Sequence, residues 1–139
     1  MSVFTMIIDG DLPGRFVWRD DRCVAFLSIN PLSPGHTLVV PRVEVDHWLD
    51  LDDDLVAHLM LVSKHVGQAI HEVYTPGRVC QAIVGFEVPH VHLHVYGADS
   101  MAEVGFENAQ AEPDPAMMDD AAERIRAALA AAGHAEATA

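Results

Sequence analysis

The segment Pro89-His90-Val91-His92-Leu93-His94-Val95-Tyr96 constrains this chain more than any other, because apolar and imidazole side chains alternate along it. Alternation is the period of a β-strand, whose successive side chains point to opposite faces. Val91, Leu93 and Val95 are then committed to a core. His90, His92 and His94 line the other face, neighbouring rings roughly 6.5 Å apart. Such a strand needs a second layer, and a helix supplies it. Asp52 is an N-cap candidate, and Asp53 and Asp54 follow where the helix dipole favours negative charge. Apolar residues then recur at Leu55, Leu59, Val62, Val66, Ala69, Ile70 and Val73, one stripe of a long helix that Thr75-Pro76-Gly77 stops.

Around these two elements the chain reads mostly as strand. Arg15 to Arg19 and Arg22 to Ile29 flank Asp20-Asp21 as a hairpin, and Thr37 to Val40 is a third strand, with His36 at its entrance and Pro41 at its end. Arg78 to Val84 and Pro89 to Tyr96 are extended. Asp114-Pro115 opens an alanine-rich helix over Ala116 to Ala132 that ends near Gly133. Strands before and after one long helix, without βαβ alternation, predict an antiparallel α+β fold. The 139 residues suit one domain with a core that needs no disulfide or metal staple.

Charge narrows the function. A formal net charge of -13 makes the chain a poor partner for nucleic acid or an anionic membrane. The apolar stretch Val3 to Ile8 is too short for a signal peptide, and nothing approaches a membrane span, which predicts a soluble, cytoplasmic protein. Cys23 and Cys80 form no Cys-x-x-Cys pair and are expected as buried thiols in strands. His58 and His65 are expected on the surface or in a dimer contact, His47-Trp48 as packing at the helix entry, and the acidic Glu103 to Glu112 as a solvated linker.

A row of imidazoles supports two chemistries. With an ordinary pKa near 6.5, one ring can be an unprotonated nucleophile while a neighbour carries a proton. Alternatively, His36, His90, His92 and His94 form a metal ligand set, although no Asp or Glu stands at the nearby spacing such sites use.

His90-Val91-His92-Leu93-His94-Val95-Tyr96 resembles the His-φ-His-φ-His-φ-φ signature (φ apolar) of the histidine triad family of nucleotide hydrolases and transferases. Asp20 to Leu27, Asn30 to Pro41 and Leu49-Asp50-Leu51 support the likeness, which runs from about Val3 to Tyr96. The resemblance implies a five-stranded antiparallel sheet and a homodimer formed through the long helix and the strand at Arg78 to Val84. It makes 1–100 the histidine triad domain and 101–139 an acidic tail and C-terminal helix packed on or beside it. By the same resemblance His92 is the nucleophile, attacking the α-phosphorus of a purine nucleotide to form a nucleotidyl-histidine that water resolves. His90 and His36 support it through a polar network, and His94 contacts the phosphoryl oxygens or the departing group. Backbone around Glu87 and Val88 holds the phosphate, and Val3, Phe4, Ile7, Phe26 and Leu38 enclose the base. Ser28 stands where the ribose hydroxyls are held, and no cofactor is implied.

The chain departs from the family in informative places. Many relatives have cysteines at Ser2 and Thr5 and a histidine near Glu44, forming a zinc site, so no structural zinc is expected here. Ser28 replaces an Asp or Asn. Ala82 to Val88 replaces a longer phosphate loop with a Gln and a hydroxyl, and its Glu87 suits a cationic leaving group such as an alkylamine. His94 stands where nucleotidylyltransferase and phosphorylase branches have Gln. These differences favour hydrolysis of a nucleoside phosphoramidate or related ester. The alternatives are a dinucleotide polyphosphate hydrolase and a non-catalytic nucleotide-binding sensor or scaffold. Phe106 is a candidate substrate-selecting aromatic, since the family's C-terminal segment often reaches the partner subunit's active site.

Overall fold

Asp20 folds the first hairpin by taking the backbone N–H groups of Arg22 and Cys23 on Oδ1, at 2.7 and 2.8 Å, as an Asx turn does. It joins strands β1 (Phe16–Arg19) and β2 (Cys23–Leu27) in the computed structural model, which describes residues 1–139. A short helix α1 (Val3–Ile8) precedes the hairpin, and β3 (Thr37–Pro41), a long helix α2 (Asp53–Tyr74), β4 (Arg78–Ala82), β5 (Leu93–Ala98) and helix α3 (Pro115–Ala131) follow. All strand pairs are antiparallel, in the order β1-β2-β3-β5-β4. The α+β architecture, the five strands and the two main helices are those expected.

Helices α2 and α3 cover one face of the sheet. Val39, Leu93 and Val95 meet Leu59, Val62, Val66 and Ile70 of α2 and Ile125 and Leu129 of α3 in one core cluster. The stripe read from the sequence is the face α2 buries. Asp52 sits at its N-cap without a side-chain cap bond, and Thr75 closes it in the left-handed region at φ 44°. Asp114 caps α3 by accepting the Ala116 N–H at 3.1 Å, with Pro115 in the first turn. On the opposite face α1 packs Phe4 over Phe26 and Leu38, forming a smaller cluster with Phe16, Val24 and Val40. No helix is long and apolar enough to cross a membrane.

Several local expectations change. Strand β5 begins at Leu93 instead of Pro89, and β4 ends at Ala82 instead of Val84. The ladder stops because the last rungs are Ala82↔His94 and Val39↔Leu93; beyond them the Pro41 carbonyl is taken by the His90 ring, and Val91 donates its N–H to Val45 at 2.8 Å. His90 and His92 therefore stand on a loop, although Val91 is still buried. Cys23 is buried, but Cys80 on edge strand β4 is only half-buried. His58 and His65, expected on the surface or in a dimer contact, are half-buried in the single chain. His58 bonds Asp20 at 2.7 Å, and His65 stacks on Trp18 and meets His134 at a ring distance of 4.3 Å. Trp48 is exposed instead of clamping the helix entry. The acidic segment contains two 3-10 turns, Met101–Glu103 and Phe106–Asn108.

Candidate active site

Gly35, at φ +88°, turns the chain so that His36 enters beneath β5; a Cβ there would be 2.8 Å from the Tyr74 ring. His36 Nδ1 accepts the Leu32 N–H at 3.0 Å, so the neutral ring carries its proton on Nε2. That N–H donates to His94 Nδ1 at 2.9 Å, which leaves the His94 proton on its own Nε2. Burial, then the neighbouring His94, lowers the His36 pKa to about 3; burial, then His92, lowers that of His94 to about 4. Both rings are neutral at ordinary pH, and their hydrogen bonds set the direction of the relay.

His92 is held the other way round. Its Nδ1 lies 2.7 Å from the His90 carbonyl, which can only accept, so Nδ1 carries the proton and the Nε2 lone pair is free. Burial pushes its pKa down, aided by His90 and opposed by the His90 carbonyl and Glu87. His90 is fully buried, donating from Nε2 to the Pro41 carbonyl at 2.8 Å and bonded at Nδ1 to the Ser2 hydroxyl at 2.7 Å. Phe4 stands edge-on to His92, ring centroids 4.9 Å apart, and His92 lies 5.0 Å from His94.

Phe4, His36 and His94 border a cavity of about 1010 Å³ between α1, the open face of the sheet, loop 84–88 and the C-terminal tail. Val3, Phe4, Ile7, Phe26, Leu38 and Val88 give it an apolar end. Ser28, His36, Glu87 and His94 also line it, whereas His92 and His90 lie behind the wall, 8% and 0% exposed. With His90 Nδ1 taken by the Ser2 hydroxyl, only His92 Nε2 and His94 Nε2 are left unpartnered, and the four histidines do not converge as a metal ligand set.

Three contributors to the cavity were not anticipated. Arg15 and Asp119, 104 residues apart, pair at 2.8 Å on its wall. Asn30 donates from Nδ2 to the carbonyls of Gln110 and Ala111 at 2.9 and 3.2 Å, holding the tail against the cavity. No local pattern signals such long-range contacts. Phe106 lies against His94 of its own chain, at a ring distance of 4.8 Å, so its place in this structure is in cis.

Away from the cavity, Asp20, Cys23 and His58 gather their ligand-type atoms within 4.8 Å of one another. Asp20 already receives Trp18 Nε1, His58 Nε2 and the two turn amides, and although burial opposes it, these bonds hold its carboxyl well below the usual range. Burial, then the Asp20 charge, pushes the Cys23 thiol far up, so the trio is accounted for as the lock of the hairpin.

The HIT domain family matches residues 9–101, a span that includes the histidine row. The chain belongs to the histidine triad family. A HIT-like protein of Methanocaldococcus jannaschii is 34% identical over 103 residues, spanning 68% of this chain and 77% of the relative. A zinc-bound histidine triad protein from Mycobacterium smegmatis superposes with a TM-score of 0.80 at 28% identity, covering 94% of each chain. A hypothetical histidine triad nucleotide-binding protein from Sulfolobus tokodaii gives 0.80 at 26% identity, covering 92% of this chain and 91% of that one. In this histidine triad protein, Ser2, Thr5 and Glu44, the positions at which the resemblance led us to expect no structural zinc, are joined to His90 by hydrogen bonds. They do not suit zinc: two donors are hydroxyls, and His90 is bonded through both nitrogens.

Proposed function

We propose that this histidine triad protein is a homodimeric nucleotide hydrolase that cleaves at the α-phosphate of a purine nucleotide, a nucleoside phosphoramidate or related ester, through a nucleotidyl-His92 intermediate. The observation that carries the reading is the tautomer of His92: with its proton donated to the His90 carbonyl, the Nε2 lone pair is available at neutral pH. The purine fits the apolar end of the cavity against Phe4, Phe26 and Leu38, and the ribose lies toward Ser28. Nε2 of His92 bonds to the α-phosphorus as the bond from phosphorus to the amine breaks, the departing nitrogen taking a proton from water. The hydroxide this leaves then adds to phosphorus, the P–Nε2 bond breaks, and nucleoside monophosphate leaves with the lone pair of His92 restored. The Nε2–H of His94 and the backbone around Glu87 and Val88 donate to the phosphoryl oxygens as charge builds on them. His90 and His36 hold His92 and His94 in the tautomers this requires.

Cavity charge supports a short anion over a polyphosphate. Its one arginine, Arg15, is paired with Asp119, and Glu87 adds a second carboxylate that suits a cationic leaving group. The half-exposed edge strand β4 and the exposed Met60 and Leu61 of α2 support pairing of two chains through α2 and β4. The test is chromatographic hydrolysis of an adenosine phosphoramidate beside a diadenosine polyphosphate, with His92→Ala as control and mass detection of the nucleotidyl-enzyme. His92-dependent turnover favouring the phosphoramidate is expected. Tight nucleotide binding with no turnover and no covalent species would replace this reading with the sensor or scaffold alternative.

A further inference from the structure

We propose that Ser2 is a positioning residue: its hydroxyl locks the ring of His90, and through the His90 carbonyl it holds His92 in the tautomer that leaves Nε2 free. The inference rests on His92 as the nucleophile and adds the part of the chain that keeps it ready.

Because β5 begins only at Leu93, no sheet ladder holds the peptide whose carbonyl receives His92 Nδ1–H. Backbone bonds from His90 to Val88 and from Val91 to Val45, each 2.8 Å, tether it on either side. The remaining anchor is the buried His90 ring, bonded at one nitrogen to Pro41 and at the other to Ser2. Ser2 Oγ accepts the Thr5 N–H at 3.0 Å as the N-cap of α1, and Nε2 of His90 already carries the proton given to Pro41. The one proton of the Ser2 hydroxyl therefore goes to His90 Nδ1, and cap and anchor are the same oxygen.

Glu44 fixes that oxygen in place. It accepts the Ser2 N–H and, at 2.7 Å, the Thr5 hydroxyl. These bonds keep the carboxyl ionised, with a pKa lowered to about 2. Helix α1 is short and has little stability of its own, so the clasp formed by Glu44, Ser2 and Thr5 seats it together with the packing of Phe4. The same helix carries Val3, Phe4 and Ile7 into the cavity and sets Phe4 edge-on to His92. The wall that receives the base and the carbonyl that orients the nucleophile are thus joined through one hydroxyl.

Removing the hydroxyl leaves His90 Nδ1 buried without a partner. The ring keeps its proton on Nε2 for Pro41 but is held at one nitrogen instead of two, so it can pivot, and the loosened carbonyl no longer discriminates between the two neutral forms of His92. The test uses the full chain with ¹⁵N-labelled histidine, comparing wild type, Ser2→Ala and Ser2→Thr. Long-range ¹H–¹⁵N spectra report the tautomers, and kcat and KM are measured on an adenosine phosphoramidate. Wild type and Ser2→Thr are expected to show His92 protonated on Nδ1, whereas Ser2→Ala shows both neutral forms. For Ser2→Ala, kcat falls about tenfold while KM changes less than about twofold. Ser2→Thr, which keeps the hydroxyl, recovers kcat to within about threefold of wild type.

A single Nδ1–H form of His92 in folded Ser2→Ala, or a change confined to KM, would reduce Ser2 to a helix cap and overturn the proposal. If Ser2→Ala fails to fold, Ser2→Thr decides, since a threonine that restores folding without the Nδ1–H form of His92 overturns it equally. The spectra need no turnover. An inactive wild type would therefore remove the hydrolase reading and leave the role of Ser2 to be decided on its own.

Discussion

The two faces of the sheet are made by the same strands and do opposite things. Val39 and Val95 point into the layer under α2 and α3, where a cluster of 20 buried apolar residues fills the space. Their chain neighbours Leu38 and His94 lie opposite each other in the ladder and line the other face, where a cluster of only six borders a cavity of about 1010 Å³. One face is held by area removed from water. The other gives up part of that burial for an opening and is held by directed bonds, with His36, His90, His92 and His94 fixed by named partners. Packing tolerates exchange among similar apolar side chains, whereas a relay of tautomers does not, so errors on the second face cost function before they cost the fold.

Substitutions on each face should separate these roles. The largest effect is expected for His92→Ala, which removes the nitrogen proposed to attack: turnover of the phosphoramidate falls by at least ~10³-fold, while the urea midpoint stays close to wild type. Residual His92-independent turnover with a covalent species would move the nucleophile elsewhere. Next comes the helix-covered face. Ile125→Ala leaves a hole where α3 meets the core and is expected to cost about 3 kcal/mol in urea unfolding, with KM unchanged on the surviving folded protein. Loss of nucleotide affinity in that variant without loss of stability would show that the two faces are not separate.

A smaller effect comes from pH. His36 and His94 are harder to protonate in the folded chain, at about 3 and about 4, than at the ordinary value near 6.5. Below pH 6.5 the unfolded chain binds more protons than the folded one, so stability is fully present above that value and falls as pH drops toward 4. The expected loss is on the order of 1 kcal/mol per pH unit. His36→Gln, which cannot titrate, should flatten the slope of urea midpoint against pH. A wild-type midpoint that stays level from pH 6.5 to 4 would mean that the relay is charged, not neutral.

The helix-covered face was readable because it depends on periodicity. The stripe from Leu55 to Ile70 and the alternation Val91, Leu93, Val95 repeat at fixed intervals, and both end in the core. Alternation alone misplaced the strand: it continues through His90 and His92, but pairing stops where Pro41 gives its carbonyl to a side chain. The apolar lining at Phe4, Phe26 and Leu38 was accessible only through resemblance, since apolar residues in strands look the same whether they fill a core or border a cavity. What remained hidden were contacts between distant segments with no pattern of their own: Arg15 with Asp119, Asn30 with the tail, and Ser2 with His90.

The smallest predicted effect probes where the cavity face meets the tail. Asn30 is the side chain that ties residues 110 and 111 to the strand end, and the Gln110 N–H adds one bond to the Pro31 carbonyl at 3.1 Å. Asn30→Ala removes two partly solvated bonds, worth roughly 0.5–1 kcal/mol in sum. Helix α3 stays docked by Ile125 and Leu129, so the loss is confined to the segment between Gly105 and Ala111. Phe106 then leaves the edge of His94 more often, KM rises about twofold to threefold, and kcat is unchanged. Limited proteolysis gives the independent check: cleavage within 101–113 should accelerate in Asn30→Ala but not in Ile125→Ala under conditions where that variant is folded. Equal cleavage rates in Asn30→Ala and wild type would mean that the tail is held by its 3-10 turns, and that the cavity wall it forms owes nothing to Asn30.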